Sequence, residues 1–207
     1  MLLQEEPIYN DGHSYYKIRY NNGTAYVSAD YIDECYEHIV LWLALRSSNF
    51  STYGVNMLKS LEGLSEIAKI FGDETLFTIG YGHVIEDGSS TVTINGITYS
   101  ELDEELATTL LMEDLNTKFI PAFNVFLSEN NIHLNQNQYD ACIMDCYQKG
   151  MNIWQNQVRD IAKFILENED FDNFDKVLDA FLDGTTSNGG INRRTKEANL
   201  FVYGAYV

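Results

Sequence analysis

The sequence contains few basic residues. Only 13 of its 207 residues are Lys or Arg, against 31 Asp or Glu, which gives a formal net charge of −18. Such an acidic surface repels phosphate backbones and anionic lipid headgroups, so a general nucleic-acid binder and a membrane-surface binder are excluded. We therefore expect no nucleic-acid partner.

Long apolar runs are also missing. No stretch of about twenty apolar residues is present, so the sequence predicts no transmembrane helix. The opening residues, MLLQEEPIYN, have neither the basic segment nor the long apolar segment of a signal peptide. We expect no membrane insertion: the chain stays where it is made, leaves by another route, or lacks its leader in this sequence.

Cysteine is scarce as well. Cys35, Cys142 and Cys146 are too few and too widely spaced to define a disulfide framework. Cys142 and Cys146 share a helical face and are predicted to be core thiols, because no nearby side chain completes a tetrahedral metal set. We expect no metal and no cofactor. The remaining composition, 45% hydrophobic and 21% charged, excludes a disordered acidic tail and favours a globular protein.

Polar breaks divide the sequence into three predicted segments. Residues 1–32 alternate as short strands around Asn21-Asn22-Gly23, residues 33–51 form a linking helix, and residues 52–207 form the main domain. The stretch YYKIRYNNGTAYVSADYI resembles the closing strands of a bacterial Src-homology-three-like wall-binding barrel, of which only this last part is present. A generic hairpin is the alternative interpretation.

The main domain combines helices with a small sheet. The pattern predicts a helix ending near Gly63, a sheet in residues 76–99 with a hairpin at Asn95-Gly96, and a helix capped at Ser100. The acids of that last helix, Asp114 included, are expected to be solvated. Further helices are predicted at 119–129, 136–148, 153–167, 171–183 and 191–203. The fold class is therefore α+β, with two lobes and a cleft between them.

The densest chemical signal follows the first helix of this domain. Glu62 ends a helix whose other face is leucine-rich, and burial among apolar groups disfavours the charged form of a carboxylate, as a general acid requires. Asp73 and Glu74 lie in a polar loop that favours the ionised form. Thr78 opens the next strand, where its hydroxyl can orient a water. One protonated acid, one charged carboxylate and a small hydroxyl suit glycoside hydrolysis.

The strand continues into a glycine-rich turn, Gly80-Tyr81-Gly82-His83. The two glycines allow close approach of backbone to backbone or to substrate. We interpret His83 as a structural hydrogen-bonding residue with an acidic partner that the sequence does not identify.

The run EGL…D…TIGYGH resembles the phage-type lysozymes, the muramidases of endolysins, which are similar to glycoside hydrolase family 24. Two later blocks, LNQNQYDACIMDCYQKG (134–150) and GGINRRTKEANLFVYGAY (189–206), are similar to the middle helix and the closing segment of that family, in the right order. The resemblance implies a lysozyme-like fold across residues 52–207.

The resemblance also implies a mechanism. Glu62 becomes the general acid that protonates the leaving glycosidic oxygen, Asp73 the carboxylate that activates or positions water, and Thr78 its helper. The implied reaction is inverting hydrolysis of the β-1,4 bond between N-acetylmuramic acid and N-acetylglucosamine in peptidoglycan. Inversion requires carboxyl groups roughly 6.5–9.5 Å apart. Such an enzyme acts on the bacterial cell wall after synthesis in a bacterial or phage-infected cytoplasm.

The sequence departs from the family pattern at several positions. Asp73 stands two residues further from Glu62 than is usual in the family, so Glu74 is an alternative second carboxylate. Gln148-Lys149-Gly150 replaces the usual Asn-Val-Gly at a position expected to support the cleft or contact substrate. Arg193 and Arg194 either contact an anionic muramyl peptide or pair with Glu197 and nearby acids.

These departures keep two other functions open. One is a wall-binding or structural module that has kept the fold and lost the chemistry. The other, weaker, is an intracellular glycan-processing enzyme that uses the same acids. The sequence predicts no oligomeric state.

Overall fold

The computed structural model describes residues 8–10, 13–20, 23–28, 50–72, 75–168 and 170–206. The chain divides into two units, Met1–Asn49 and Phe50–Val207. Nearly all of the predicted linking helix at 33–51 lies outside the described residues, and so do Asp73 and Glu74.

The first unit contains a three-stranded antiparallel sheet. Its strands are β1 (Ile8–Asn10), β2 (His13–Tyr20) and β3 (Gly23–Ser28), in the order β1-β2-β3. The pairing of β2 with β3 brings Tyr15 opposite Ser28. The two strands predicted around the Asn-Asn-Gly turn are therefore confirmed. The Src-homology-three-like barrel remains a prediction.

The second unit opens with helix α1 (Thr52–Glu62). The side chain of Ser51 accepts a hydrogen bond from the backbone N–H of Gly54, which caps the start of the helix. Leu58 and its apolar neighbours on the same face are buried. The helix ends at Gly63, which adopts a φ of 71° that glycine reaches without a steric penalty. The predicted helix is confirmed, and its last residue is Glu62.

Two small antiparallel sheets follow α1. One contains β4 (Ser65–Lys69), β5 (Phe77–Gly80) and β6 (His83–Ile85) in that order, and the other pairs β7 (Val92–Ile94) with β8 (Ile97–Tyr99). The strands predicted within 76–99 are confirmed. β4 was not predicted, because Glu, Ala and Lys are poor strand formers and this strand is held by its pairing with β5.

The hairpin between β7 and β8 turns at Asn95-Gly96, as predicted. Both residues have positive φ, 52° and 80°, which is typical of the turn that best matches strand twist. Asn tolerates this conformation and Gly is unrestricted in it.

The rest of the second unit is helical. Its elements are α2 (Glu104–Asp114), a π-helical turn (Leu115–Phe119), α3 (Ile120–Glu129), α4 (Gln136–Lys149), α5 (Met151–Gln155), α6 (Asp160–Glu167), α7 (Phe174–Leu182) and α8 (Asn188–Tyr203). No helix in the described ranges has the length and apolar character needed to span a membrane.

Two predictions about these helices are wrong. The helix expected at 153–167 is interrupted between α5 and α6, where Gln157 takes a φ of 55° and Arg159 turns inward. The expected cap at Ser100 is also wrong. Asp103 caps α2 instead, because its side chain accepts a hydrogen bond of 2.8 Å from the backbone N–H of Leu106.

The core of the second unit lies around α4, which packs against α8. The ring of Phe123 lies 5.3 Å from the rings of both Tyr139 and Trp154. Cys142 and Cys146 are fully buried on α4, and burial raises the pKa of both thiols well above its ordinary value. Their prediction as core thiols is confirmed.

Candidate active site

Glu62 lies where the end of α1 meets α8. Its Oε1 accepts a hydrogen bond of 2.7 Å from Nη2 of Arg193, and only 17% of the Glu62 side chain is exposed. Because the two residues are 131 positions apart in the chain, this contact joins the start and the end of the second unit. The expected burial of Glu62 is therefore present, and its carboxylate faces a guanidinium.

Arg193 is fixed by two carboxylates. In addition to its bond to Glu62, its Nε donates to Oε1 of Glu197 at 3.0 Å. Burial opposes the charge of Arg193, but Glu197 and Glu62 outweigh it and raise the pKa of the guanidinium. Arg193 is therefore a permanent cation beside Glu62. Of the two alternatives that the sequence left open, it pairs with Glu197 and a nearby acid of the chain.

The glycine-rich turn between β5 and β6 lies against Glu62. Gly82 has a φ of 95°, and a Cβ placed there would lie 3.5 Å from Oε2 of Glu62 and 3.4 Å from Cε1 of Tyr147. Glycine adopts this positive φ without strain, and the turn leaves beside the carboxylate a space that a single methyl group would fill. Tyr81, next to it, is buried, and its carbonyl accepts a 2.8 Å hydrogen bond from the hydroxyl of Tyr147.

Tyr147 is a member of the site that was not predicted. Burial, followed by the charges of Asp114 and Glu62, raises the pKa of its phenol well above the ordinary value, so it remains a neutral donor. Its ring packs 5.0 Å from that of Phe119. The only sequence signal for Tyr147 is its place directly before Gln148, at the end of the block 134–150.

His83 pairs with Asp114, which supplies the acidic partner that the sequence does not identify. Nδ1 of His83 donates to Oδ2 of Asp114 at 2.7 Å, and Lys118 contacts the other carboxylate oxygen at 2.9 Å. Burial opposes ionisation, but His83 and Lys118 outweigh it and lower the pKa of Asp114. The prediction that Asp114 is solvated is wrong: only 4% of it is exposed, since α2 turns this side toward β6.

The structure also gives the positions of three other predicted site residues, Thr78, Gln148 and Arg194. Thr78 is half-buried in β5, opposite Val84 of β6 and Lys69 of β4. Gln148 is exposed near the end of α4. Arg194 is only 1% exposed and binds Asp145 and Glu197, so it faces the interior and not a substrate.

The structure therefore brings together Glu62, the Gly80–Gly82 turn, Tyr147 and Arg193. Within the described ranges, no group of three His, Cys, Asp or Glu side chains is placed to hold a metal ion. Chemically, the arrangement offers a shielded carboxyl group held in one orientation by a fixed cation.

Replacing Gly82 by alanine is expected to lower both stability and any activity that depends on Glu62. The positive φ costs a side chain about 1–2 kcal/mol. The new methyl group also comes into van der Waals contact with the Glu62 carboxylate, at 3.5 Å, and takes space that a substrate atom or a water could occupy there. Gly96→Ala is the matched control, because Gly96 also has a positive φ, 80°, but nothing lies within 4 Å of the point that a Cβ would occupy there. Melting temperatures should fall for both variants, and an activity that depends on Glu62 should fall only for Gly82→Ala. Equal activity of the two variants would contradict the contact between the turn and Glu62.

Comparison with known proteins identifies relatives of the second unit. The family profile described as phage lysozyme matches residues 59–197. An endolysin of Bacillus phage B103 is 30% identical over 162 residues, which cover 75% of this chain and 55% of the relative. The chain thus spans about half the length of this curated relative.

Solved structures show the same fold. The muramidase domain of SpmX from Asticaccaulis excentricus has a TM-score of 0.59 and 25% identity, covering 74% of this chain and 97% of that one. An endolysin from Escherichia coli O157:H7 phage FAHEc1 has a TM-score of 0.59 and 26% identity, and the match covers 77% of this chain and 96% of that one. The predicted α+β, lysozyme-like fold is therefore confirmed. With the profile covering most of the second unit, the chain belongs to the phage lysozyme family.

Proposed function

We propose that this chain is a muramidase of the endolysin type, similar to glycoside hydrolase family 24, with Glu62 as its general acid. The observation that supports this most is the placement of Glu62, which is shielded at the end of α1, against the glycine-rich turn, and oriented by Arg193. The substrate is the β-1,4 bond between N-acetylmuramic acid and N-acetylglucosamine in peptidoglycan. Family membership supports this choice.

In the proposed reaction, the protonated carboxyl of Glu62 gives its proton to the glycosidic oxygen as the bond from that oxygen to the anomeric carbon breaks. A water attacks the anomeric carbon from the opposite face and transfers a proton to the second carboxylate, Asp73 or Glu74. Thr78 helps to orient this water. The product has the inverted configuration, and inversion requires a separation of roughly 6.5–9.5 Å between the two carboxyl groups.

Two residues of the site support this reaction without touching the scissile bond. Arg193 holds the Glu62 carboxyl by its bond to Oε1, which leaves Oε2 on the side of Gly82 as the oxygen that can carry the donated proton. Tyr147 fixes the backbone of the turn through the carbonyl of Tyr81. The rigid turn then limits where a glycan strand can meet the acid.

The three segments of the chain have different roles in the proposed enzyme. Residues 52–207 are the catalytic domain, residues 33–51 are a linker, and residues 1–32 are a wall-binding segment. The protein acts on the bacterial cell wall after synthesis in a bacterial or phage-infected cytoplasm. Neither a cofactor nor a metal takes part in the reaction.

Analysis of the products tests the proposed function. Incubation with purified peptidoglycan should generate new reducing ends on N-acetylmuramic acid, detected by reduction and mass spectrometry. Nuclear magnetic resonance should detect the α-anomer first, since the cleaved bond is β and the reaction inverts. Reducing ends on N-acetylglucosamine would contradict the assigned bond. Wall binding without any new reducing ends would favour a module that has lost its chemistry, and faster cleavage of soluble chitin fragments would favour another glycan.

Moderate salt or divalent cations are expected to increase the rate of wall lysis. The chain carries a net charge of −18, and peptidoglycan with its attached polymers is usually anionic, so screening weakens their repulsion. The effect is measured as the initial rate at which a wall suspension clears, over a series of salt concentrations from low to physiological ionic strength. A steep fall in rate with added salt would contradict it.

A further inference from the structure

Glu197 is a buried carboxylate that the proposed mechanism does not use. It lies on α8 with no exposed surface, and its two oxygens bind two different arginines. Oε1 accepts from Nε of Arg193 at 3.0 Å, and Oε2 accepts from Nη1 of Arg194. Since both oxygens are engaged, the orientation of the carboxylate is fixed.

Arg193 stands between Glu197 and Glu62. Its Nε bonds to Glu197, and its Nη2 lies 2.7 Å from Oε1 of Glu62. One guanidinium carries one positive charge, so two ionised carboxylates share its attraction and also repel each other. The charge state of Glu197 therefore affects how strongly Arg193 attracts the carboxyl of Glu62.

We propose that Glu197 is a positioning residue for the general acid, which holds Arg193 against Glu62 and, when ionised, weakens the pull of the guanidinium on the Glu62 carboxylate. Ionised Glu197 thus helps Glu62 to keep the proton that it donates. This inference rests on the proposed function of Glu62.

The surroundings of Glu197 set the pH range in which it changes charge. Burial, together with the charge of Asp145, raises its pKa to about 7, although Arg194 and Arg193 act in the opposite direction. The charged and titratable groups that act on it come from its own helix, from α4 and from the segment before α6: Arg193, Arg194, Asp145, Cys142 and Arg159. The effect on Glu62 is thus greatest on the alkaline side of neutrality.

The pH dependence of wall lysis by Glu197→Gln tests this role. The amide keeps the shape of Glu197 but stays neutral, so at alkaline pH Arg193 attracts Glu62 alone and favours its ionised form, which donates no proton. The alkaline limb of the pH–rate profile should move to lower pH by about one unit relative to the parent, while the rate on the acidic side is retained.

Asp140→Asn is the matched control. Asp140 is also a buried carboxylate of the second unit, but its partners are Ser51, Gln136 and Tyr206 and not Arg193. This variant should lose stability and leave the alkaline limb in place. A loss of packing alone would lower the rate at every pH and move no limb.

A second variant keeps the test decisive if Glu197→Gln does not fold. Glu197→Asp keeps the charge but shortens the reach to Arg193, and its alkaline limb should move in the same direction by a smaller amount. If Glu197→Gln folds and its alkaline limb does not move, the inference is overturned. If Glu197→Gln does not fold, an unmoved alkaline limb in Glu197→Asp overturns it. If Glu62→Gln is inactive while the alkaline limb of the Glu197 variants stays in place, the proposed role of Glu197 fails and the proposed function stands. Full activity of Glu62→Gln instead overturns the proposed function itself.

Discussion

Glu62→Gln is expected to reduce peptidoglycan lysis by roughly 100- to 10,000-fold, the usual contribution of a general acid. Glutamine has the same shape and its amide oxygen still accepts a hydrogen bond from Arg193, but its N–H protons are far too weakly acidic to be transferred to the leaving oxygen. The fold should therefore persist while the chemistry is lost. Initial rates of clearing of a wall suspension, with a thermal melt of each protein, measure the two effects separately.

The control for this variant is Glu66→Gln. Glu66 lies on β4, four residues after Glu62, and is exposed, so the same chemical change there should leave lysis at the parent rate. If Glu62→Gln clears the suspension as fast as the parent, Glu62 is not the general acid. If Glu66→Gln is equally slow, the loss in Glu62→Gln does not report on proton donation.

The local features of the fold could be predicted because their causes are local. The end of α1 follows from Gly63, and the hairpin between β7 and β8 follows from Asn95-Gly96, since each turn needs a positive φ that few residues adopt. The spacing of apolar residues likewise predicted a helix at 136–148, which is within one residue of the observed end of α4 at Lys149. The first of these signals placed Glu62 at the last turn of its helix.

The partners of the charged residues could not be predicted in the same way. Arg193 is 131 residues from Glu62, and Asp114 is 31 residues from His83, so no periodic pattern connects them. Asp114 belongs to an acid-rich helix in which the other acids, Glu104, Glu105 and Glu113, are exposed. Helical spacing marks the apolar face, but it gives no signal for a single acid that turns toward a histidine on another element.

The second carboxylate remains a prediction for a related reason. The spacing from Glu62 to Asp73 departs from the family pattern, and a loop of changed length does not fix which of two adjacent acids points into the site. Asp73→Asn and Glu74→Gln, compared side by side in the lysis assay, separate the two candidates. Neither side chain lies within the described residues.

The largest stability effect is expected in a second buried network, centred on Asp145 of α4. Its Oδ1 accepts from Nη2 of Arg159 at 2.8 Å and from Nη1 of Arg194, and its Oδ2 accepts from Nε1 of Trp154 at 2.8 Å. Asp145 is fully buried and both arginines are nearly so. Asp145 thus joins two buried cations, Arg159 from the α5–α6 connection and Arg194 from α8. Each arginine has one further acidic partner, Asp183 for Arg159 and Glu197 for Arg194.

Asp145→Asn should lower the free energy of unfolding by about 3–5 kcal/mol, because it removes the buried carboxylate that Arg159 and Arg194 share and leaves each of them with one acidic partner. The amide nitrogen is a donor, so it also faces a guanidinium or the Trp154 indole N–H that needs an acceptor. Denaturant titration of the purified variant measures the loss, which corresponds to a melting temperature lower by roughly 10 °C.

Glu104→Gln provides the contrast for the same acid-to-amide change at the surface. Glu104 binds Lys59 at 2.9 Å, but 72% of its side chain is exposed, so water replaces the lost partner and the cost should stay below about 1 kcal/mol. A similarly small effect for Asp145→Asn would mean that Asp183 and Glu197 are sufficient partners for the two arginines. A large effect would establish that Asp145 anchors Arg194, and with it the part of α8 from which Arg193 reaches Glu62.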